Sequence, residues 1–251
     1  MSTLDLPADW STQRDELRRI ATHVVARAQQ QVTGHFALMA LPGGFGTPQF
    51  GDDRRRVRVA AGSLFVETAR GRRDDGETAT TSVHLLNGST ISSLCAACGV
   101  TPDPGLWVGG DTPALGDPDR SIDIDPRTAA VLGDWYSLGN RAMDATIASL
   151  SEPQASVVRL WPEHFDLGVD VAVDTTGTPG VRTNLGVAAG DDVHETPYLY
   201  VGPWDEDRPG AAAFWNAPFG AVLGFDEVGA SDDPVRAATE FFRTGIAHLR
   251  A

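Results

Sequence analysis

Lysine is missing from this chain: all 20 basic residues among its 251 are arginine. That absence excludes chemistry built on a side-chain primary amine, namely Walker-type phosphate loops, Schiff-base catalysis and pyridoxal phosphate attachment. Positive charge is short overall, since 34 acidic residues leave a net charge of -14. Such a chain repels a phosphate backbone, so nucleic acid is not an expected partner. Long apolar runs are lacking too. No segment approaches the ~20 apolar residues that cross a bilayer, and the start MSTLDLPADW has neither a basic region nor an apolar stretch. A cytoplasmic protein without membrane contact is expected. Cysteine is scarce: Cys95 and Cys98 form one C-x-x-C. It falls late in a predicted helix, whereas a reactive thiolate favours a helix start, so two buried reduced thiols are expected. No G-x-S-x-G elbow is present. The run DPDRSIDIDP lacks the glycine and glutamate of a calcium loop, and GGFG leads towards a strand and not into a helix, so no dinucleotide fingerprint forms.

What is present centres on Trp161 to Val201. In WPEHFDLGVDVAVD, Phe165, Leu167, Val169, Val171 and Val173 alternate with His164, Asp166, Gly168, Asp170 and Ala172, the period of a strand buried on one face. The segment VRTNLGVAAGD repeats the pattern with Val181, Thr183, Leu185 and Val187 inward. A loop over Asp174 to Gly180 sets Leu167 opposite Val187 on the core face. The other face then pairs Asp170 with Asn184, Gly168 with Gly186, Asp166 with Ala188 and His164 with Gly190. If Leu199 and Val201 of PYLYV also point inward, Tyr198 and Tyr200 join this acidic face.

The rest of the chain reads as helices and antiparallel strands. Asp9 or Ser11 caps an amphipathic surface helix that runs to about Gln31 and stops at Gly34. His35 to Leu41 reads as a strand, followed by the turn-rich PGGFGTPQFG. A hairpin over RVRVAAGSLFVE turns at Gly62-Ser63 and sets Arg58 across from Glu67. The arginines at 54–58, 70, 72 and 73 are solvated strand ends balanced by Glu67, Asp74 and Asp75. Ser82 to Leu86 forms a third strand, and Thr90 caps a short helix ending at Gly99. Asp125-Pro126 opens a helix to about Leu150, and Pro234 opens the last one, to Leu249. The fold class expected is α+β, with antiparallel sheets, helices packed on one side, and two similar helix-strands-helix halves. Residues 1–100 and 126–251 form the halves, and the Pro/Gly/Asp-rich stretch 101–125 connects them.

On PGGFGTPQFG, LWPEHFDLGVD and the later N-x-G, GDD and PYLYV elements, the chain resembles a group of actinobacterial proteins with no assigned activity. The resemblance covers most of the chain. It implies a bacterial cytosolic setting and carries no catalytic residues across.

Two candidate sites follow from the residues. His164, Asp166, Asp170, Asn184, Tyr198 and Tyr200 would bind a small polar or cationic molecule above the small residues Gly168 and Gly186. Against this stands the simpler reading in which aromatic rings fill the space over the glycines and the carboxylates are solvated or paired with arginines from a helix. The loop GDDVHE offers Asp191, Asp192, His194 and Glu195 as divalent-metal ligands near His164, for a metal-assisted hydrolase. No cofactor besides that metal is expected. A third expectation is an interaction module without chemistry, using the aromatic face for a partner or a homodimer.

Overall fold

The structure is a computed structural model that describes residues 5–70, 78–150, 154–173 and 181–250. It is an α+β fold with two five-stranded antiparallel sheets. The chain divides into two compact units: an N-terminal unit of Leu6–Asp134 with Leu160–Phe165, and a C-terminal unit built mainly from Trp135–Arg159 and Asp166–Ala251. Residues 101–125 lie wholly in the N-terminal unit, and the helix over Pro126–Ile147 contributes to both. No helix among the described residues is long and apolar enough to cross a membrane.

The N-terminal unit opens with helix α1 (Trp10–Ile20), a π-helical stretch (Ala21–Ala26) and α2 (Arg27–Thr33), which stops where Gly34 takes φ +76°. The expected surface helix is corrected here. All six π-helical residues are buried, and Trp10, Arg14, Leu17, Arg19 and Ile20 of α1 are buried too. His23, inside that stretch, donates from Nε2 to the Pro113 carbonyl at 2.8 Å. Asp9 occupies the N-cap position without a capping bond, because its carboxylate accepts the Gln13 side chain at 3.0 Å.

The sheet of this unit runs β1 (Met39–Leu41), β2 (Gly44–Gly46), β3 (Arg56–Ala60), β4 (Ser63–Arg70) and β5 (Thr78–Leu85), in sequence order. Phe45, Val57, Val59 and Leu64 bury one face completely. The hairpin turns one residue earlier than expected. Ala60 pairs with Ser63, and Ala61 and Gly62 both take positive φ, 47° and 72°. Two left-handed residues make the turn whose twist matches the strands, which moves the register by two residues and keeps every face. Arg58 therefore sits across from Phe65, with its guanidinium 3.9 Å from that ring, and reaches Glu67 diagonally at 2.8 Å. The expected strand over His35 to Leu41 shrinks to its last three residues, and the one expected from Ser82 starts at Thr78. Helix α3 (Ile91–Ala97) carries the expected Thr90 cap, a reciprocal pair with Ser93. Arg72, Arg73, Asp74 and Asp75 lie outside the described residues, as does the side chain of Arg70.

Helix α4 (Pro126–Ile147) and strand β6 (Arg159–Trp161) lead to β7 (Asp166–Ala172), β8 (Arg182–Ala188), β9 (Tyr198–Pro203) and β10 (Ala221–Gly224), followed by α5 (Phe225–Gly229) and α6 (Pro234–Leu249). The second sheet has the order β10-β9-β8-β7-β6. Strands β7 and β8 pair in the expected register: Leu167 with Val187, Gly168 with Gly186, Asp170 with Asn184. The loop expected over Asp174 to Gly180 lies outside the described residues.

In the C-terminal unit the helices cover one face of this sheet, and glycines let them approach. A Cβ on Gly139 of α4 would stand 2.1 Å from Val187 Cγ2, and one on Gly245 of α6 would stand 2.8 Å from Val201 Cγ2. Trp135 anchors α4 by donating from Nε1 to the Ala188 carbonyl at 2.9 Å, with its ring 5.1 Å from Phe225. Gly139→Ala therefore overpacks a closed contact, and the expected loss is about 1–3 kcal/mol in urea unfolding. With Val187→Ala added, the loss is expected to be smaller than the sum of the two single losses. Independent, additive losses for the two changes would refute the contact.

Candidate functional site

The inward residues of β7, β8 and β9 are held by the helices, so the alternate residues stand on the outer face. Asp166, Asp170, Asn184, Tyr198 and Tyr200 are brought together there, as the alternation requires. His164 is not. The strand starts at Asp166, and Phe165 takes φ +55°, closing a turn through its N–H to the Trp161 carbonyl at 2.7 Å. A left-handed residue breaks the period-2 alternation, so Phe165 belongs to the core of the N-terminal unit, 5.3 Å from Phe45. His164 lies in that turn, with Nδ1 3.0 Å from Asp111 Oδ2 and both side chains largely exposed. Its expected position beside Gly190 is therefore corrected.

On the outer face, Tyr200 lies flat over the backbone of β8. A Cβ on Gly186 would fall 2.0 Å from its Cζ, and one on Gly168 would fall 3.4 Å from its hydroxyl. The ring thus fills the space above both glycines. Its hydroxyl donates to Asp166 Oδ2 at 2.5 Å, while Tyr198 donates to Asp191 Oδ2 at 2.5 Å. Phe219 completes a three-ring cluster, with centroids 6.2 Å from Tyr200 and 6.4 Å from Tyr198, within the range of favourable aromatic packing. Asp170 is held by Arg182, which donates from Nε at 2.9 Å and from Nη2 at 2.5 Å. That partner comes from the adjacent strand, a diagonal neighbour on the same face. Charge at this end of the face is thereby balanced.

Beyond Tyr200 the face changes character. Gly202 carries no side chain, and the following ring, Trp204, is 61% exposed. Trp204 Nε1 donates to Asn184 Oδ1 at 3.2 Å, and the Arg182 guanidinium sits 5.5 Å from its ring centroid. Alternation along β9 continued past Pro203 is the sequence signal for its place here.

The loop with the expected metal ligands folds on itself. Asp191 Oδ1 accepts the N–H groups of Val193 and His194, and His194 Nδ1 donates to the Thr196 carbonyl at 2.9 Å. Asp192 and Glu195 are exposed. Among the described residues no group of three His, Cys, Asp or Glu is placed to hold a metal ion, so the set Asp191, Asp192, His194 and Glu195 does not converge.

No protein-family model, curated protein or solved structure matches this chain.

Two titrations follow from the geometry. Burial of the Tyr200 hydroxyl, then the neighbouring Asp166 carboxylate and the bond to it, push this phenol well above its usual 10. The folded chain holds that proton more tightly than the unfolded chain, so the stability it contributes is complete below about pH 10 and falls as pH rises towards the folded value. Urea unfolding at about pH 9 and pH 11 is expected to show a loss that Tyr200→Phe largely removes; an equal loss in both proteins would count against it. Cys95 and Cys98 are both free and buried. Burial raises the Cys95 thiol to about 11; burial and the neighbouring Cys95 raise Cys98 to about 12. Neither thiol is expected to react with a disulfide reagent near neutral pH until denaturant is added, and rapid labelling of the native protein would contradict that.

Proposed function

We propose that this chain is a small-molecule-binding protein that receives a neutral polar molecule on the outer face of its second sheet, between Tyr200 and Trp204. The observation that carries this is an exposed indole held in one orientation. Trp204 is fixed by Asn184 and backed by Arg182, so the ring keeps an apolar surface in water without free rotation. An aromatic ring with an apolar body and a satisfied polar end suits a ligand with a flat face and hydroxyl or carbonyl groups. Asn184 spends its Oδ1 on the indole, which leaves its amide N–H donors for such a group. Gly202 places no side chain between the two aromatic positions. A neutral ligand suits the Trp204 end of the face, where Arg182 balances Asp170, while the carboxylates of Asp166 and Asp191 keep their charge but each accept a tyrosine hydroxyl. A cytoplasmic setting accords with two free thiols.

A thermal-shift and ligand-observed NMR panel of monosaccharides, polyols and cyclic amides tests this reading. The expected result is a neutral binder whose affinity falls about tenfold, roughly 1.4 kcal/mol, in Trp204→Ala and in Asn184→Ala. Binding that both variants retain, or no binder in the panel, would overturn it.

A further inference from the structure

The N-terminal unit holds an open hollow of about 370 Å³ lined by Val32, Phe50, Gly51, Asp52, Asp53 and Arg55. We infer that it is a binding site for a small organic cation with an apolar body, an alkyl- or arylammonium. The volume lies within the range of small-molecule pockets. Its wall and floor are apolar: Val32 is 57% exposed at the end of α2, and Phe50 is buried beneath it. Phe50 is pinned by a two-way backbone bridge to Arg55, with N–H to carbonyl distances of 2.9 and 2.8 Å. Between the bridge partners the chain must turn back, and Gly51 does so at φ +69°, where a Cβ would lie 3.7 Å from Val32 Cγ1. The glycine brings the loop alongside Val32.

The sign of the ligand follows from the rim. Among the described residues three ionisable groups line it, and two cancel: Arg55 Nη2 donates to Asp53 Oδ2 at 3.0 Å, while Arg55 Nη1 donates to the Cys98 carbonyl at 3.2 Å. Arg54, the next cation along the loop, donates from Nε to the Ala69 carbonyl and does not line the hollow. Asp52 is exposed, and its carboxylate makes no hydrogen bond or ion pair among the described residues. Among the described residues the rim therefore carries one uncompensated negative charge beside an apolar wall. A hydrated metal ion would gain nothing from Val32 and Phe50, whereas an ammonium on a hydrocarbon body uses both the carboxylate and the wall. This hollow lies at the end of PGGFGTPQFG, the turn-rich run singled out in the sequence, and it is independent of the Trp204 face.

Titration of the full chain with benzyltrimethylammonium, followed by ¹H–¹⁵N NMR, tests the inference, with benzyl alcohol and benzoate as neutral and anionic counterparts. The ammonium is expected to shift the amides of Val32, Gly51 and Arg55, to bind at least about fivefold more tightly than the alcohol, and to weaken with added salt. Benzoate shifts none of them. Asp52→Asn abolishes the preference of ammonium over alcohol, and Val32→Gln weakens both; each change is at an exposed position, and the remaining spectrum reports that the fold is kept. Magnesium chloride competes no better than sodium chloride of equal ionic strength. Equal binding of the three probes, a preference that survives Asp52→Asn, or no shift at these amides would each overturn the site.

Discussion

The antiparallel pairing of β7 with β8 determines both faces of the C-terminal unit at once. Setting Leu167 against Val187 gives the helices an apolar surface, and the same register sets Gly168 against Gly186 on the reverse. A slip of one residue would exchange the faces, exposing the valines and driving Asp166 and Asp170 under the helices. Val187 then fills the gap left by Gly139, while Tyr200 fills the gap left by Gly186. The sheet is thus clamped by a side chain meeting a glycine on each of its sides. With both contacts tied to one strand, the outer face inherits its rigidity from the core below it.

That rigidity shapes the electrostatics of the outer face. Carboxylates on an open sheet would invite cations, yet each of the three on this face spends an oxygen on a neighbour from the same unit. Asp170 accepts two donors from Arg182, and Asp166 and Asp191 each accept a tyrosine hydroxyl. In so acidic a chain the uncompensated carboxylates matter more than the acidic total. Asp52, beside an apolar hollow in the other unit, is one of them.

How much of this was legible in the residues depended on whether the backbone kept one period. The register of β7 and β8, the five outer-face side chains, the Thr90 cap and the helix start at Pro126 all follow from uninterrupted alternation or from a local capping rule. Two of the failures share a cause. Phe165 at φ +55° breaks the strand one residue before Asp166 and takes His164 away, and Ala61 at φ +47° moves the hairpin turn. Neither residue is a glycine or an asparagine, so nothing in its type announces a left-handed conformation. The simpler account of the glycines, rings lying over them, also proved the right one at Gly168 and Gly186, because Tyr200 is long enough to cover both. At Trp204 alternation gives part of the answer: it fixes the side of the sheet, while the exposure of the ring depends on what packs beside it.

The buried π-helical stretch has its own bearing on how the N-terminal segment is read. Six residues wound more loosely than an α-helix lag the ordinary advance of about 100° per residue by nearly one whole residue. The side of the rod that Leu17 and Ile20 occupy is therefore not the side that the same spacing would assign beyond Ala26. A single helical wheel drawn across Trp10–Thr33 superimposes two different faces, and the chain reaches Gly34 with its apolar side rotated by a step that no proline or glycine marks.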